Sequence, residues 1–260
     1  MKKILVTGSN GQLGKCLQDA VNAQNPEGFQ FIFLDRTQLD ITQKELVESF
    51  FFANQIDFCV NCAAYTAVDL AETEVEQAFK ANSDAVKFLA EECAEQNATL
   101  IHVSTDYVFD GTKTEPYLPT DQTNPINVYG KSKLAGENQA IELNPKSIVI
   151  RTSWVYSQYG KNFYTTMVRL MQERDELNVV SDQIGKPTDA NDLAKYILEL
   201  IVRNDTNYGI RHFSGSEQMS WFEFAQKIAT ENGFKTKINP ILTSQYPTPA
   251  KRPMWSVLGN

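Results

Sequence analysis

Two residues four positions apart, Tyr129 and Lys133, have the types and the spacing needed for acid–base chemistry. On a helix, residues i and i+4 share one face, so the lysine ammonium can lie beside the tyrosine phenol. A free phenol has a pKa of about 10 and is a poor acid near neutrality. A nearby cation lowers that pKa. The pair therefore predicts a general acid or base, although Tyr-x-x-x-Lys alone is common by chance.

A glycine-rich segment near the N-terminus supplies the context for this pair. The apolar run 3–7 is followed by Gly8, Gly11 and Gly14. Glycines permit a tight turn and close backbone approach, and the amides that begin the next helix attract a pyrophosphate. The next apolar run ends at Asp35, and a carboxylate about 20 residues beyond the last glycine is typical of ribose binding. The segment therefore predicts a dinucleotide site, although its spacing is Gly-x-x-Gly-x-x-Gly and not the tighter Gly-x-Gly-x-x-Gly.

Both nicotinamide cofactors, NADPH and NADH, are compatible with the residues at this site. Asp35 favours a free 2′-hydroxyl, whereas Arg36 can pair with a 2′-phosphate, so we expect dual use. The residues expected to bind the cofactor are Gly8, Asn10, Gly11, Gln12, Leu13, Gly14, Asp35, Arg36, Asp40, Ala63, Ala64, Tyr65, Tyr129 and Lys133.

Strand-like and helical segments alternate along the chain. This alternation predicts an α/β fold, a Rossmann-type doubly wound parallel sheet with helices on both faces. Residues 1–153 are expected to form the dinucleotide-binding domain and residues 154–260 a smaller substrate-binding part, with 188–213 as a segment that can return to the sheet. Ligands of such sheets bind beyond the carboxyl ends of the strands.

Several local features have a structural interpretation. Thr42 is expected to cap a helix that ends near Asn54, and residues 72–97 are expected to form one long helix. His102 lies inside an apolar strand and is interpreted as a packed core histidine. The four cysteines are interpreted as buried and reduced, and we expect no metal site, because the Cys59-Val-Asn-Cys62 pair has no second pair to complete a zinc site.

Composition excludes several classes of function. The formal charge is −8 and the pI is near 4.9, so nucleic acid is not expected as the main partner. No segment approaches the roughly 20 apolar residues of a membrane span. The N-terminal residues lack signal-peptide architecture, so we expect a cytoplasmic location.

Taken together, the motifs resemble those of the extended short-chain dehydrogenases, and among them the dTDP-4-dehydrorhamnose reductase family. The resemblance spans nearly the whole chain. Besides the glycine turn, the segments that carry it are Cys62-Ala-Ala-Tyr-Thr-Ala-Val-Asp69, Ser104-Thr-Asp-Tyr-Val-Phe-Asp-Gly111, Tyr129-Gly-Lys-Ser-Lys-Leu-Ala-Gly-Glu137, Arg151-Thr-Ser-Trp-Val-Tyr156 and Lys251-Arg-Pro253.

The resemblance implies a reaction and a set of site residues. The reaction is NADPH- or NADH-dependent reduction of the C4 keto group of a dTDP-linked 4-keto-6-deoxy sugar, in surface polysaccharide biosynthesis. The implied catalytic residues are Thr105, Tyr129 and Lys133. The residues expected to contact the substrate are Asp106, Tyr107, Phe109 and Trp154 at the sugar, and Lys186 and Arg252, two local cations, at the diphosphate.

Related reactions remain as alternatives. Similar dehydratases carry Thr-Asp-Glu where this chain has Thr105-Asp106-Tyr107, and without the second carboxylate elimination is not expected. An epimerase with tightly bound NAD uses the same tyrosine and lysine. A non-catalytic regulatory subunit, similar to that of methionine adenosyltransferase, shares the same fold.

Two features depart from the family pattern. Some members dimerise through a magnesium site built from glutamates, one of them just after the glycine turn, where this chain has Lys15. We therefore expect no structural magnesium at that position, and a homodimer remains open. The family usually continues past Lys251-Arg-Pro253, so the sequence leaves the closure of the C-terminal part undetermined.

Overall fold

The computed structural model describes residues 1–259. Its strands are β1 (Lys2–Thr7), β2 (Phe29–Leu34), β3 (Phe58–Asn61), β4 (Thr99–Thr105), β5 (Ser147–Thr152), β6 (Val155–Tyr156), β7 (Glu176–Val180), β8 (Ile184–Gly185), β9 (Thr188–Asp189), β10 (Gly209–His212), β11 (Met219–Ser220) and β12 (Lys237–Ile241). Its α-helices are α1 (Gln12–Gln24), α2 (Lys44–Ala53), α3 (Val75–Phe79), α4 (Ala85–Glu95), α5 (Val128–Leu143), α6 (Phe163–Glu173), α7 (Ala190–Val202) and α8 (Trp221–Asn232).

Six parallel strands form the central sheet, in the order β10-β5-β4-β3-β1-β2. The predicted α/β fold class is therefore confirmed. The chain runs outward from β1 to β2 and then crosses back to β3 on the other side of β1. This reversal opens a crevice between the carboxyl ends of β1 and β3, where ligands of doubly wound sheets bind.

The alternation of side chains along each strand explains why both faces of the sheet are covered. In β1, Ile4 and Val6 pack on the face covered by α1 and α7, while Leu5 packs on the face covered by α2, α4 and α5. All three side chains are fully buried. A strand buried on both faces reads as a continuous apolar run, which is the pattern of a parallel sheet.

A smaller unit lies beyond the sheet. Helices α6 and α8 pack with β7 and β12 around their own apolar cluster, which includes Met167, Leu177 and Phe224. Between these elements the chain passes back to the sheet, because α7 packs against α1 and β10 pairs with β5. The site therefore receives residues from both units.

The predicted single helix over 72–97 is interrupted. α3 and α4 are separated by a π-helical turn, Lys80–Asp84. Asn82 in this turn bonds the backbone of Tyr65 and the hydroxyl of Ser132, and a Cβ added at Gly136 would lie 2.0 Å from the Asn82 carbonyl oxygen. The wider turn thus accommodates the close contact with α5.

The helix predicted to begin at Thr42 begins at Lys44 instead. Its N-cap is Gln43, and the Thr42 hydroxyl and amide both donate to the Asp40 carboxylate. An Asp–Thr turn competes here with helix capping.

None of the helices within residues 1–259 is long and apolar enough to cross a membrane.

Candidate active site

A cavity of about 740 Å³ lies at the carboxyl ends of β1, β3, β4 and β5. It brings together most of the residues that the sequence analysis singled out. Its walls include Gly8, Asn10, Gly11, Gln12, Leu13, Asp35, Arg36, Ala63, Ala64, Thr105, Asp106, Tyr107, Tyr129, Lys133 and Trp154. Residues from distant parts of the sequence therefore share one volume.

The glycine turn forms one end of this cavity and fits a dinucleotide. Gly8 has φ +66°, and a Cβ there would lie 2.6 Å from the Ala63 nitrogen. A Cβ at Gly14 would lie 2.5 Å from the Gly8 carbonyl oxygen, so Gly14 serves helix–strand packing and does not line the cavity. Gly11 is the N-cap of α1, and within residues 1–259 no side chain caps it. The first amides of α1 are thus available to a pyrophosphate.

Asp35 and Arg36 lie on the cavity wall near the glycine turn. The Asp35 carboxylate accepts hydrogen bonds from Asn10 and from Thr37, and the Thr37 hydroxyl holds the pKa of Asp35 below its usual value. Arg36 is exposed and lies 3.4 Å from Asp40. Asp40 is turned toward Thr42 and is not part of the wall, so the structure does not bring this predicted cofactor residue to the cavity.

The start of α5 sets the position of Tyr129. The Asn127 side chain caps the helix by accepting from the Gly130 amide at 2.7 Å. A Cβ at Gly130 would lie 2.1 Å from the Tyr107 carbonyl oxygen, so glycine lets α5 pack directly on the turn that follows β4. The rings of Tyr107 and Tyr129 meet edge to face at 5.8 Å. This contact places Tyr129 beside Thr105.

The electrostatics of Tyr129 differ from the sequence prediction. Burial raises its pKa to about 12, opposed by the Thr105 hydroxyl and reinforced by the Asp106 carboxylate. Within residues 1–259, no hydrogen bond joins the Lys133 amine to the phenol. The prediction that Lys133 lowers the pKa of Tyr129 is therefore wrong for this arrangement, because the lysine is directed to the sheet.

Lys133 is buried against β4. Its Nζ donates to the Val103 carbonyl oxygen at 2.7 Å and lies 3.4 Å from His102 Nε2. Burial lowers the pKa of Lys133 to about 8, although the Glu137 carboxylate favours the charged form. The predicted core histidine is indeed buried, and it contacts the lysine of the site.

Asp106 carries an oxygen with an unmet hydrogen bond. Its Oδ1 accepts from the Thr105 hydroxyl at 3.0 Å, while Oδ2 is buried and has no partner in the described part of the chain. Burial raises the pKa of this carboxyl to about 7. The Ser256 and Thr105 hydroxyls oppose this effect of burial on the pKa of Asp106.

Trp154 forms an aromatic wall of the cavity. It has φ +48° and stacks on Trp221 with ring centroids 3.4 Å apart. A Cβ at Gly185 would lie 2.4 Å from the Trp154 ring, so the glycine makes room for the indole. Phe163 packs against Trp221 in the same wall.

Besides Gly14 and Asp40, four other predicted site residues do not reach the cavity. Phe109 is fully buried between Tyr117 and the Arg151 guanidinium, which makes it a core residue. Lys186 donates to the Leu258 carbonyl oxygen at 2.9 Å. The remaining two are held by carboxylates, since Tyr65 donates to Glu74 and Arg252 forms a two-nitrogen pair with Asp69.

Several lining residues were missed by the sequence analysis. They are Cys62, Thr66, Val68, Val103, Ser104, Thr152, Val155, Lys161, Asn162, Phe163, Leu193 and Trp221. Lys161 is the most informative of them, because it is an exposed cation on the wall of an acidic protein. It precedes Asn162, which caps α6 and also donates to Gln12 in the glycine turn. The sequence therefore contained a signal for this residue, namely a lysine directly before an asparagine that could cap a helix.

Within residues 1–259, no group of three or more His, Cys, Asp or Glu side chains is arranged to hold a metal ion.

Known proteins resemble this chain in sequence and in fold over most of their length. The family model described as RmlD substrate binding domain matches residues 1–260. A dTDP-4-dehydrorhamnose reductase from Aggregatibacter actinomycetemcomitans is 43% identical over 268 residues, which cover 99% of this chain and 90% of that protein.

Two crystal structures of such reductases have the same fold. That from Clostridium acetobutylicum ATCC 824 has a TM-score of 0.95 at 42% identity, covering 99% of this chain and 90% of that one. That from Bacillus anthracis str. Ames, in complex with NADP, has a TM-score of 0.96 at 41% identity, covering 100% and 91%. The chain belongs to the dTDP-4-dehydrorhamnose reductase family.

Proposed function

We propose that this protein reduces the C4 keto group of a dTDP-4-dehydro-6-deoxyhexose with NADPH or NADH, converting dTDP-4-dehydro-L-rhamnose to dTDP-L-rhamnose. The observation that carries the proposal is the single cavity whose walls include the glycine turn, Thr105, Tyr129 and Trp154. The Bacillus anthracis relative, crystallised in complex with NADP, supports the cofactor class.

Residues of this chain supply the proton and the orientation. A bound nicotinamide supplies the hydride to the carbonyl carbon. Tyr129 protonates the carbonyl oxygen, and its raised pKa keeps the phenol protonated until that step. Thr105 hydrogen-bonds the same oxygen. Thr105 is buried and Tyr129 is half-buried on the cavity wall, which limits the access of water to the proton transfer.

The aromatic wall of the cavity suits a 6-deoxy sugar. Trp154 and Trp221 offer apolar surface to the methyl group and the ring face. Lys161 provides the positive charge that a diphosphate requires.

The direct test mixes the purified protein with NADPH or NADH and a dTDP-4-keto-6-deoxyhexose and follows nicotinamide absorbance. Stoichiometric oxidation of the cofactor is expected. Copurification of NAD at full occupancy without net oxidation would favour the epimerase, and a stoichiometric protein partner without turnover would favour the regulatory subunit.

Arg36 is expected to discriminate between the cofactors. The Arg36→Ala variant should lose about tenfold in kcat/KM with NADPH and change little with NADH, because one charge-assisted contact to the 2′-phosphate is worth about 1.5–3 kcal/mol. Arg203→Ala, which removes the exposed arginine that follows α7, is the matched control. Steady-state kinetics with both cofactors provide the measurement, and an equal loss with both would contradict this role.

Lys161 is expected to bind the substrate diphosphate in place of the predicted Lys186. Lys161→Ala should raise the KM of the sugar nucleotide about tenfold with little change in kcat, as for loss of a contact made equally in ground and transition states. Lys186→Ala should lower thermal stability and leave KM unchanged, because the Lys186 amine donates to the Leu258 carbonyl oxygen. The opposite pattern would restore the sequence prediction.

A further inference from the structure

A row of polar side chains crosses the buried centre of the sheet next to the site. Thr7, Asn61 and His102 are register partners on β1, β3 and β4. All three are buried, and His102 is fully enclosed. Buried polar groups in such a row must satisfy one another, so their hydrogen bonds determine where each proton lies.

The orientation of the Asn61 amide follows from its neighbours. Its Oδ1 accepts from the Ala63 backbone amide at 3.1 Å and from the Thr7 hydroxyl at 2.7 Å. A backbone N–H can only donate, so the oxygen must be on this side. The Asn61 Nδ2 therefore faces His102 Nδ1, at 3.2 Å, and donates to it.

The tautomer of His102 follows by the same reasoning. A neutral imidazole has one donor and one acceptor, so if Nδ1 accepts from Asn61, Nε2 must carry the proton. That N–H faces Lys133 Nζ at 3.4 Å. An ammonium has no lone pair to accept it, whereas a neutral amine can accept from His102 and still donate to the Val103 carbonyl oxygen.

We propose that His102 is a positioning residue whose Nε2–H group, held by Asn61, faces the Lys133 amine and disfavours its positively charged form. From the sequence alone, this histidine is predicted to be a core residue. Its effect on catalysis rests on the proposed function, but its tautomer does not.

The other titratable groups near Lys133 do not present an N–H group to its amine as His102 does. Burial raises the pKa of the Cys62 thiol to about 12, so it stays neutral. The Glu137 carboxylate is paired with Arg151 of β5 at 2.7 Å. Tyr129, one turn before Lys133 on α5, is a protonated phenol. Burial, reinforced by Lys133, holds the pKa of His102 well below its usual value, so the imidazole also stays neutral.

The first test reads the tautomer by 15N NMR of histidine-labelled protein, which is tractable because the chain has 2 histidines. His102 is expected to carry its proton on Nε2. His212 is expected to carry its proton on Nδ1, which donates to the Gly259 carbonyl oxygen, and a His212→Asn variant assigns the signals. The His102 signals should titrate with Lys133 and lose this response in Lys133→Met. A proton on Nδ1 of His102, or no response to pH, would overturn the proposal even if turnover were normal.

The second test is the pH profile of reduction. Because the ammonium contributes positive charge at the site, the rate should fall as pH rises through the pKa of Lys133. His102→Met removes the opposing N–H, so the fall should move to higher pH by about one unit. In His102→Gln the amide can accept from Asn61 and donate to Lys133, so the profile should stay at its original pH. Equal shifts in both variants would contradict the proposal. If the original protein did not reduce the keto sugar while its tautomers were as expected, the proposed function would fail and this inference would stand.

Discussion

Replacing Tyr129 with phenylalanine is expected to lower kcat for the keto sugar by about 10²–10⁴-fold, the usual contribution of a positioned general acid. Phenylalanine keeps the edge-to-face contact with Tyr107 and removes only the hydroxyl. Cofactor affinity should therefore remain close to that of the original protein. Single-turnover rates and fluorescence titration of NADPH separate the two effects.

The matched control is Tyr65→Phe. The Tyr65 hydroxyl donates to Glu74 and is turned away from the cavity, so kcat should not change. Retained turnover in Tyr129→Phe would rule out this phenol as the proton donor. A loss of cofactor binding together with activity would indicate a structural defect in place of a chemical one.

Replacing Arg151 with methionine is expected to lower the free energy of unfolding by about 3–5 kcal/mol, because it leaves a buried carboxylate uncompensated. Arg151 and Glu137 are 2% and 1% exposed, with Nη2 and Oε2 2.7 Å apart. Glu137 also accepts from Ser104, on the cavity wall. This network attaches α5, the helix of Tyr129, to the sheet, and urea unfolding measures its contribution.

A surface pair of the same residue types provides the comparison. Arg169 and Glu173 are 58% and 51% exposed, with their charged groups 2.8 Å apart, so Arg169→Met should cost under about 1 kcal/mol. The double variant Arg151→Met/Glu137→Leu should cost less than Arg151→Met alone, since it removes both charges. Equal costs for the two arginine variants would show that the buried pair is not what anchors the helix.

The sequence alone determined the features that depend on local pattern. Apolar runs alternating with helical segments predicted the parallel sheet, because a strand buried on both faces reads as a continuous apolar run. The glycine turn and Asp35 predicted the dinucleotide end of the cavity, since only certain residues permit that backbone path and charge. Tyr129 and Lys133 were identified because their spacing places them on one helical face.

The tertiary structure alone decided which way the other side chains point and what surrounds them. Phe109 lies in the loop that follows the short helical turn Asp106–Val108, and the local sequence does not indicate that it packs against Arg151. Lys161 and Trp221 reach the cavity from the smaller unit. Such contacts join residues far apart in the chain.

Proton positions were also beyond the sequence. The spacing of Tyr129 and Lys133 predicted that the lysine lowers the pKa of the phenol, but burial raises that pKa and the amine turns toward Val103 and His102. A pKa depends on desolvation and on every neighbour within a few ångströms, and these are set by how strands and helices pack. The sequence determined which groups can exchange protons, and the packing decided where each proton lies.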